Sequence, residues 1–401
     1  MTSPAHERTE VIEHAQRALA TGDWEGAVDG ARHLIATAER RPQDEPSMPD
    51  GPAHDALLLA TELAERNPEN GAVRSAADSL RANALRLLGR AHDAEAREAF
   101  EAALARSPSS GALWFDAGLL HKWRGRWREA LECTERAEAA LGATRAVLWN
   151  IAIAATALGD ARRAADAWRR LGFDVREGQH LVEVPGIPPA RLRVPSVGDG
   201  HAGSPVDDRA ARFELPWVEP LSPCHGVIVT PTFGRAPVDV GDVVLWDGAP
   251  AAVVEEGGTT VPRFVLLEVL SRGAARSFRF LLRGDVGTLA KALPPTAEIF
   301  VQAPTLEVVS LRGADGSTIE REDTAQASPI HRGKIVARPD ADLLEIDRAL
   351  AQFAETAGAT VAAPDLVEAI GDTRRAGKAH QTWKGLESVA KRTANRAATP
   401  E

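Results

Sequence analysis

The sequence predicts a multidomain α + β chain. It has an N-terminal array of helical repeats, then a β-rich barrel or sandwich-like domain, then a short C-terminal helical segment. Three observations predict this. Residues recur with a 34-residue period through the first 173 positions. Short apolar, β-branched runs separated by turn residues fill 210–311. A run at 340–358 returns to helical spacing behind an acidic start. With 401 residues the chain is long enough for two or three cores.

The period is legible residue by residue. "GRWREAL" at 125–131 parallels "GDARRAA" at 159–165 and "GDWEGAV" at 22–28. Gly125 and Gly159 stand 34 residues apart, as do Ala96 and Ala130, and Ala103 and Ala137. Glycine is poor inside a helix but suits a turn between helices, so Gly125 and Gly159 mark turns. Trp127 then opens a second helix, Phe100 and Trp168 fill the large position of their repeats, and the alanines let helices approach. Residues 41–52 hold four prolines and break the array between a helix pair over 6–40 and a helix at 53–66. The repeat at 77–110 has Ala91 where a turn glycine is expected, with Gly89 two residues early.

A 34-residue helix–turn–helix period of this kind resembles the tetratricopeptide (TPR) family over residues 8–172, chiefly in the repeats at 77–110, 111–144 and 145–172. The resemblance implies a TPR-like α-solenoid over 1–173. Its first helices would line a concave groove for a protein or peptide partner. The groove positions would be Arg81, Leu85, Phe115, Leu119, Lys122, Trp123, Trp149 and Ile153, with Thr156 and Ala157 beyond. The asparagine and basic pattern that grips chaperone tails is missing. The apolar groove residues either anchor an external segment or pack against the protein's own C-terminal region. "HKWRGRWREA" at 121–130 has the look of a nucleic-acid patch. Trp127 is nevertheless expected to be a packing residue, and Arg124, Arg126 and Arg128 to be solvated around the turn. Glu129, Glu132 and Glu135 cancel the positive charge.

The remaining regions follow in order. Residues 174–209 read as a Pro/Gly-rich linker, and 210–311 as the β-rich domain with a short helix near 286–293. Residues 312–339 read as a loop with a short strand, and 340–401 as helices with a basic tail. The spacing of the strands favours a barrel or sandwich over βαβ units. Leu343, Leu344, Ile346, Leu350 and Phe353 fall at helical spacing. Residues 373–401 carry seven Lys/Arg against two Asp/Glu. A basic tail on an acidic body is expected to dock internally or to be solvated.

Composition excludes several functions. A net charge of −10 gives no global basic field for nucleic acid. Two cysteines, Cys133 and Cys224, exclude a disulfide framework and a four-cysteine zinc site. The N-terminus lacks a signal-peptide pattern and no apolar run is long enough to span a membrane, so the expected location is the cytoplasm. "GDGHAG" at 198–203 matches a dinucleotide-binding pattern but sits in proline-rich loop, not between strand and helix. "SVAK" at 388–391 lacks its companion motifs. "SPCHG" at 222–226 is the most suggestive stretch. Neighbours on a strand point to opposite faces, so Cys224 and His225 are poorly placed to share a proton. A cysteine nucleophile would need a base from elsewhere, such as His180, His201 or His331. As metal ligands, Cys224 and His225 would need help from Asp239, Asp242 or Asp247. A structural turn with a buried thiol is the simpler reading. No cofactor is expected. The leading functional expectation is a non-enzymatic interaction adaptor. The alternatives are an enzyme or metal-binding β domain around Cys224 and His225, and a nucleic-acid-associated regulator acting through the basic tail.

Overall fold

A computed structural model describes residues 4–40, 50–177, 181–195, 210–234, 236–302, 307–312, 318–322 and 330–397. The proline-rich stretch 41–49, "GDGHAG", His180 and His201 lie outside these residues.

The first part is the TPR-like α-solenoid. Its helices are α1 (Pro4–Thr21), α2 (Trp24–Glu39), α3 (Pro52–Arg66), α4 (Gly71–Leu88), α5 (Asp93–Arg106), α6 (Gly111–Lys122), α7 (Trp127–Leu141), α8 (Arg145–Ala157) and α9 (Ala161–Arg170). Their starts follow local chemistry. Asp23, Asn70, Ser110, Thr144 and Asp160 each accept a hydrogen bond from a first-turn N–H that the helix itself leaves unpaired. Gly125 and Gly159 have φ of +67° and +71°, as turn glycines require. Gly89 has φ +101° and is followed by a single 3₁₀ turn, Arg90–His92. That extra turn accommodates the early glycine. Trp127, Phe100 and Trp168 are buried at 7%, 3% and 0% exposure.

Arg124 departs from the solvated arginine expected there. Its guanidinium pairs with Asp93 at 2.7 Å with its side chain only 8% exposed, and also reaches the Arg86 carbonyl. Arg124 lies in the turn after α6, and the Asp93 carboxylate at the start of α5 compensates its burial.

After α9 come β1 (Arg176–Glu177), β2 (Val182–Glu183), β3 (Ala190–Pro195), β4 (Ala210–Glu214), β5 (Trp217–Ser222), β6 (His225–Ile228), β7 (Val243–Trp246), β8 (Ala252–Glu256), β9 (Thr259–Ser271) and β10 (Arg276–Arg283). Then follow α10 (Val286–Ala292), β11 (Ala297–Val301), β12 (Glu307–Arg312), β13 (Thr318–Glu322), β14 (His331–Ala337), α11 (Leu343–Thr356), β15 (Thr360–Ala362), α12 (Pro364–Ala369) and α13 (Thr373–Ala397).

Strands β3, β5, β6, β7 and β9 form a closed barrel. Its antiparallel neighbours run in that order, and a parallel pairing of β3 with β9, Leu192 opposite Phe264, completes the ring. Leu192, Val194, Val218, Ile228, Val244 and Trp246 fill the interior, each at 1% exposure or less. β4, β12 and β13 extend the sheet beyond β3.

The strands expected in one β-rich region divide between two sheets. β10 and β11 join β14 and β15 in a separate four-stranded antiparallel sheet, in the order β11-β14-β10-β15. The C-terminal helices pack onto this sheet. Leu343, Ile346, Leu350 and Phe353 of α11 meet Phe278, Phe280, Leu282 and Ile335. On α13, Leu386 and Trp383 meet Leu281 and Ile330. Arg375 of the basic tail makes two 2.8 Å bonds to Asp347 of α11. Residues 331–337, inside the stretch expected to be loop with a short strand, form the internal strand β14. Its weak signal has a cause in Gly333, where any side chain would strike the Phe280 ring and the Phe300 carbonyl.

Candidate functional site

The inner helices of the last two repeats do not face open space. They form a seam with the outer wall of the barrel. Strand register sets the barrel's side of it. His225 lies opposite Leu245, and Leu245 opposite Glu268, so β6, β7 and β9 present these three side chains on one face. Leu245 and Cys224 join Ile151, Ile153, Ala155 and Trp168 in a single buried cluster, with Trp149, Phe115, Leu267 and Leu270 packed against it. This core belongs to both parts of the molecule.

Polar contacts give the seam its register. Lys122, at the end of α6, donates from Nζ to Asp247 Oδ1 at 3.0 Å, and their side chains are 7% and 13% exposed. Asp247 and Gly248 form the turn directly after β7. A Cβ on residue 248 would land inside the Trp149 indole, so only glycine lets the turn lie on that ring. Trp127 donates from Nε1 to Glu268 of β9. Trp149, Trp168 and Phe173 make mutual edge-on contacts with centroids 5.0–6.0 Å apart.

The structure separates the residues expected to line the groove. Lys122, Trp149, Phe115 and Ile153 come together at the seam. Trp123 adjoins it, with the Lys122 ammonium 5.3 Å from its ring centroid. Leu119 is half-buried on the same helix. Leu85, at 1% exposure, packs among Ala96, Phe100 and Leu120 inside the solenoid and lines no groove. Arg81 is exposed on α4.

The Cys224–His225 stretch lies at the bottom of the same seam. Cys224 is fully buried, with its sulfur 3.6 Å from Ser222 Oγ and 3.8 Å from Thr156 Oγ1 of α8. Burial pushes its thiol up to about 12, so it stays protonated and is no nucleophile. His225 Nδ1 is 2.6 Å from Ser222 Oγ, Nε2 has no partner, and burial pulls the imidazole down to about 4. His331 sits on β14, in the other sheet. The three carboxylates considered for a metal are each held by a cation: Asp247 by Lys122, Asp242 by Arg272 at 2.8 Å and Asp239 by Lys334 at 2.8 Å. Among the described residues no three His, Cys, Asp or Glu side chains gather as a metal site, and no helix is long and apolar enough to cross a membrane.

Sequence reasoning missed Gly248, Glu268 and Ser222 as parts of this arrangement. "WDGAP" after a β-branched run signals a turn, but nothing local says that the turn reaches Trp149 ninety-nine positions upstream.

No family model matches the chain, and no curated protein matches it. Among solved structures it is similar to a crystal structure of MamA protein at 15% identity, over 41% of this chain and 88% of that one, with a TM-score of 0.28. A second crystal structure of MamA gives 15% identity over 39% and 91%, also with a TM-score of 0.28. At that score the likeness carries no weight; the helix pairs and turn glycines of this chain carry the solenoid description.

Proposed function

We propose that the protein is a non-enzymatic interaction scaffold that grips polypeptide on the inner face of its solenoid. One observation supports this above the others. The inner face already holds a polypeptide turn, its own Asp247–Gly248, through a buried ion pair and an aromatic contact. A tryptophan anchor of this kind is what protein interfaces use. With α8 covered by the barrel and Lys122 and Phe115 of α6 in the seam, the inner stretch left for another protein runs from exposed Arg81 to the half-buried Trp123 at the seam's edge. Neither His225 nor Cys224 offers chemistry to a substrate, since both are fully buried.

The test uses the full-length chain as bait for partners, with Arg81→Glu and Trp123→Ala beside Leu158→Ser on an exposed site elsewhere. The expected outcome is at least about a tenfold loss of a captured partner with the first two and none with the third, with all three still folded by circular dichroism. Equal capture by all three variants would remove the inner face from the function.

A further inference from the structure

We infer that the Asp247–Gly248 turn is an internal ligand of the solenoid, and that the same pocket accepts a turn on another protein bearing a carboxylate followed by glycine. This rests on the scaffold reading and names the chemistry of its recognition.

The argument starts from how differently the seam is held at its two levels. Its depth is apolar: Leu245, Cys224, Ile153 and Trp168 are each fully buried. That layer fixes the barrel to the helices and is not exchangeable. The Asp247–Gly248 turn lies above it, where it enters the pocket with one charge and no side chain beyond. The pocket supplies a matching cation in Lys122 and a flat indole in Trp149, and each imposes a separate requirement. Lys122 is buried, so an occupant without a carboxylate leaves an uncompensated ammonium there. Trp149 occupies the space of any side chain at position 248, so an occupant needs glycine next to its carboxylate.

The internal turn also leaves something unmade. Trp149 Nε1 is buried and has no acceptor. A buried N–H without a partner is unfavourable, and an external turn placing a carbonyl there would satisfy it. The internal turn has the advantage of being tethered, which raises its effective concentration, so it excludes weak competitors. Its presence lowers the apparent affinity of an external turn by the fraction of molecules in which the pocket is free.

The experiment uses the full chain and a fluorescein-labelled, end-capped peptide of its own residues 245–251, LWDGAPA. Gly248→Val in the protein should push the internal turn off Trp149 while leaving Lys122 and Trp149 in place. Anisotropy should show the peptide binding this variant at least about tenfold more tightly than it binds the wild type. A peptide carrying Gly248→Val should not bind, and adding Lys122→Glu to the variant protein should abolish binding. Circular dichroism and elution volume report whether the variant is folded. If Gly248→Val is not, Asp247→Asn, which removes only the charge, takes its place with the same expectation in direction. Equal affinity for wild type and the opened variant overturns the inference, as does no binding by a folded opened variant. Peptide failure with partner capture still dependent on Arg81 would leave the scaffold reading standing. Peptide binding with no dependence of capture on Arg81 or Trp123 would do the reverse.

Discussion

The two ends of the solenoid are built from the same helix pair and stabilised differently. Helices α1–α4 close their own core, in which Ala31, Leu34, Ala56, Ala60 and Leu63 are at 1% exposure or less without any barrel residue. Helices α7–α9 share theirs with Leu245, Cys224, Val182 and Val184. Stacked repeats gain stability from neighbours, and the last repeat lacks a neighbour on one side. In this chain Val182 and Val184 at β2 cover α9, while Leu245 and Cys224 of the barrel lie against α8. A repeat's sequence therefore reports which positions are apolar, but not whether its covering surface is another repeat or a different fold.

The largest test of that contrast is Trp168→Ala. This fully buried ring contacts both Trp149 and Phe173, and its loss should destabilise by about 3–5 kcal/mol in urea unfolding. If a fragment of residues 1–173 loses as much from this change as the full chain, the core of the last repeat does not need the barrel.

Next are two ion pairs of unlike burial. Lys122→Ala strands Asp247 in the seam and should cost about 3 kcal/mol. Arg106→Ala breaks the more exposed Arg106–Asp78 pair of the solenoid and should cost under about 1 kcal/mol. Similar losses would mean that water reaches the seam.

A pH titration sharpens the same comparison. The folded His225 imidazole titrates at about 4, below the roughly 6.5 of an unfolded histidine. The unfolded chain binds this proton first as pH falls. The associated stability is present in full above pH 6.5, declines by about 1.4 kcal/mol per unit below it, and is gone by about pH 4. His225→Gln should flatten that slope. A slope unchanged by the substitution would place the acid sensitivity elsewhere.

The smallest effect expected is that of Cys224→Ser. Ser222 and Thr156 hydroxyls already stand beside the sulfur, so a serine hydroxyl would find partners, and the change should stay within about 1 kcal/mol. Folding retained with partner capture abolished would show that the thiol does more than pack.

Much of the helical part was legible because its signals are local. Gly125 and Gly159 announced their positive φ, and Trp127, Phe100 and Trp168 announced their burial by period. The strands were legible one at a time, but not their partners. Nothing near "SFRFLL" says that β10 lies beside β14 rather than in the barrel, because strand pairing is set by contacts far apart in sequence. The candidate site followed the same division. Lys122 and Trp149 stood out by repeat position, while Gly248 and Glu268 acquire meaning only once the barrel is closed against them.

The parallel pairing that closes the barrel has a consequence for biosynthesis. β3 and β9 begin and end the ring, so no barrel exists until Arg263, Phe264 and Val265 have left the ribosome. Helix α9 ends at Arg170, roughly one hundred residues earlier, which at 5–20 residues per second is on the order of 5–20 seconds. Throughout that interval the nascent helices carry Trp149, Ile153 and Phe115 without the barrel strands that complete their burial.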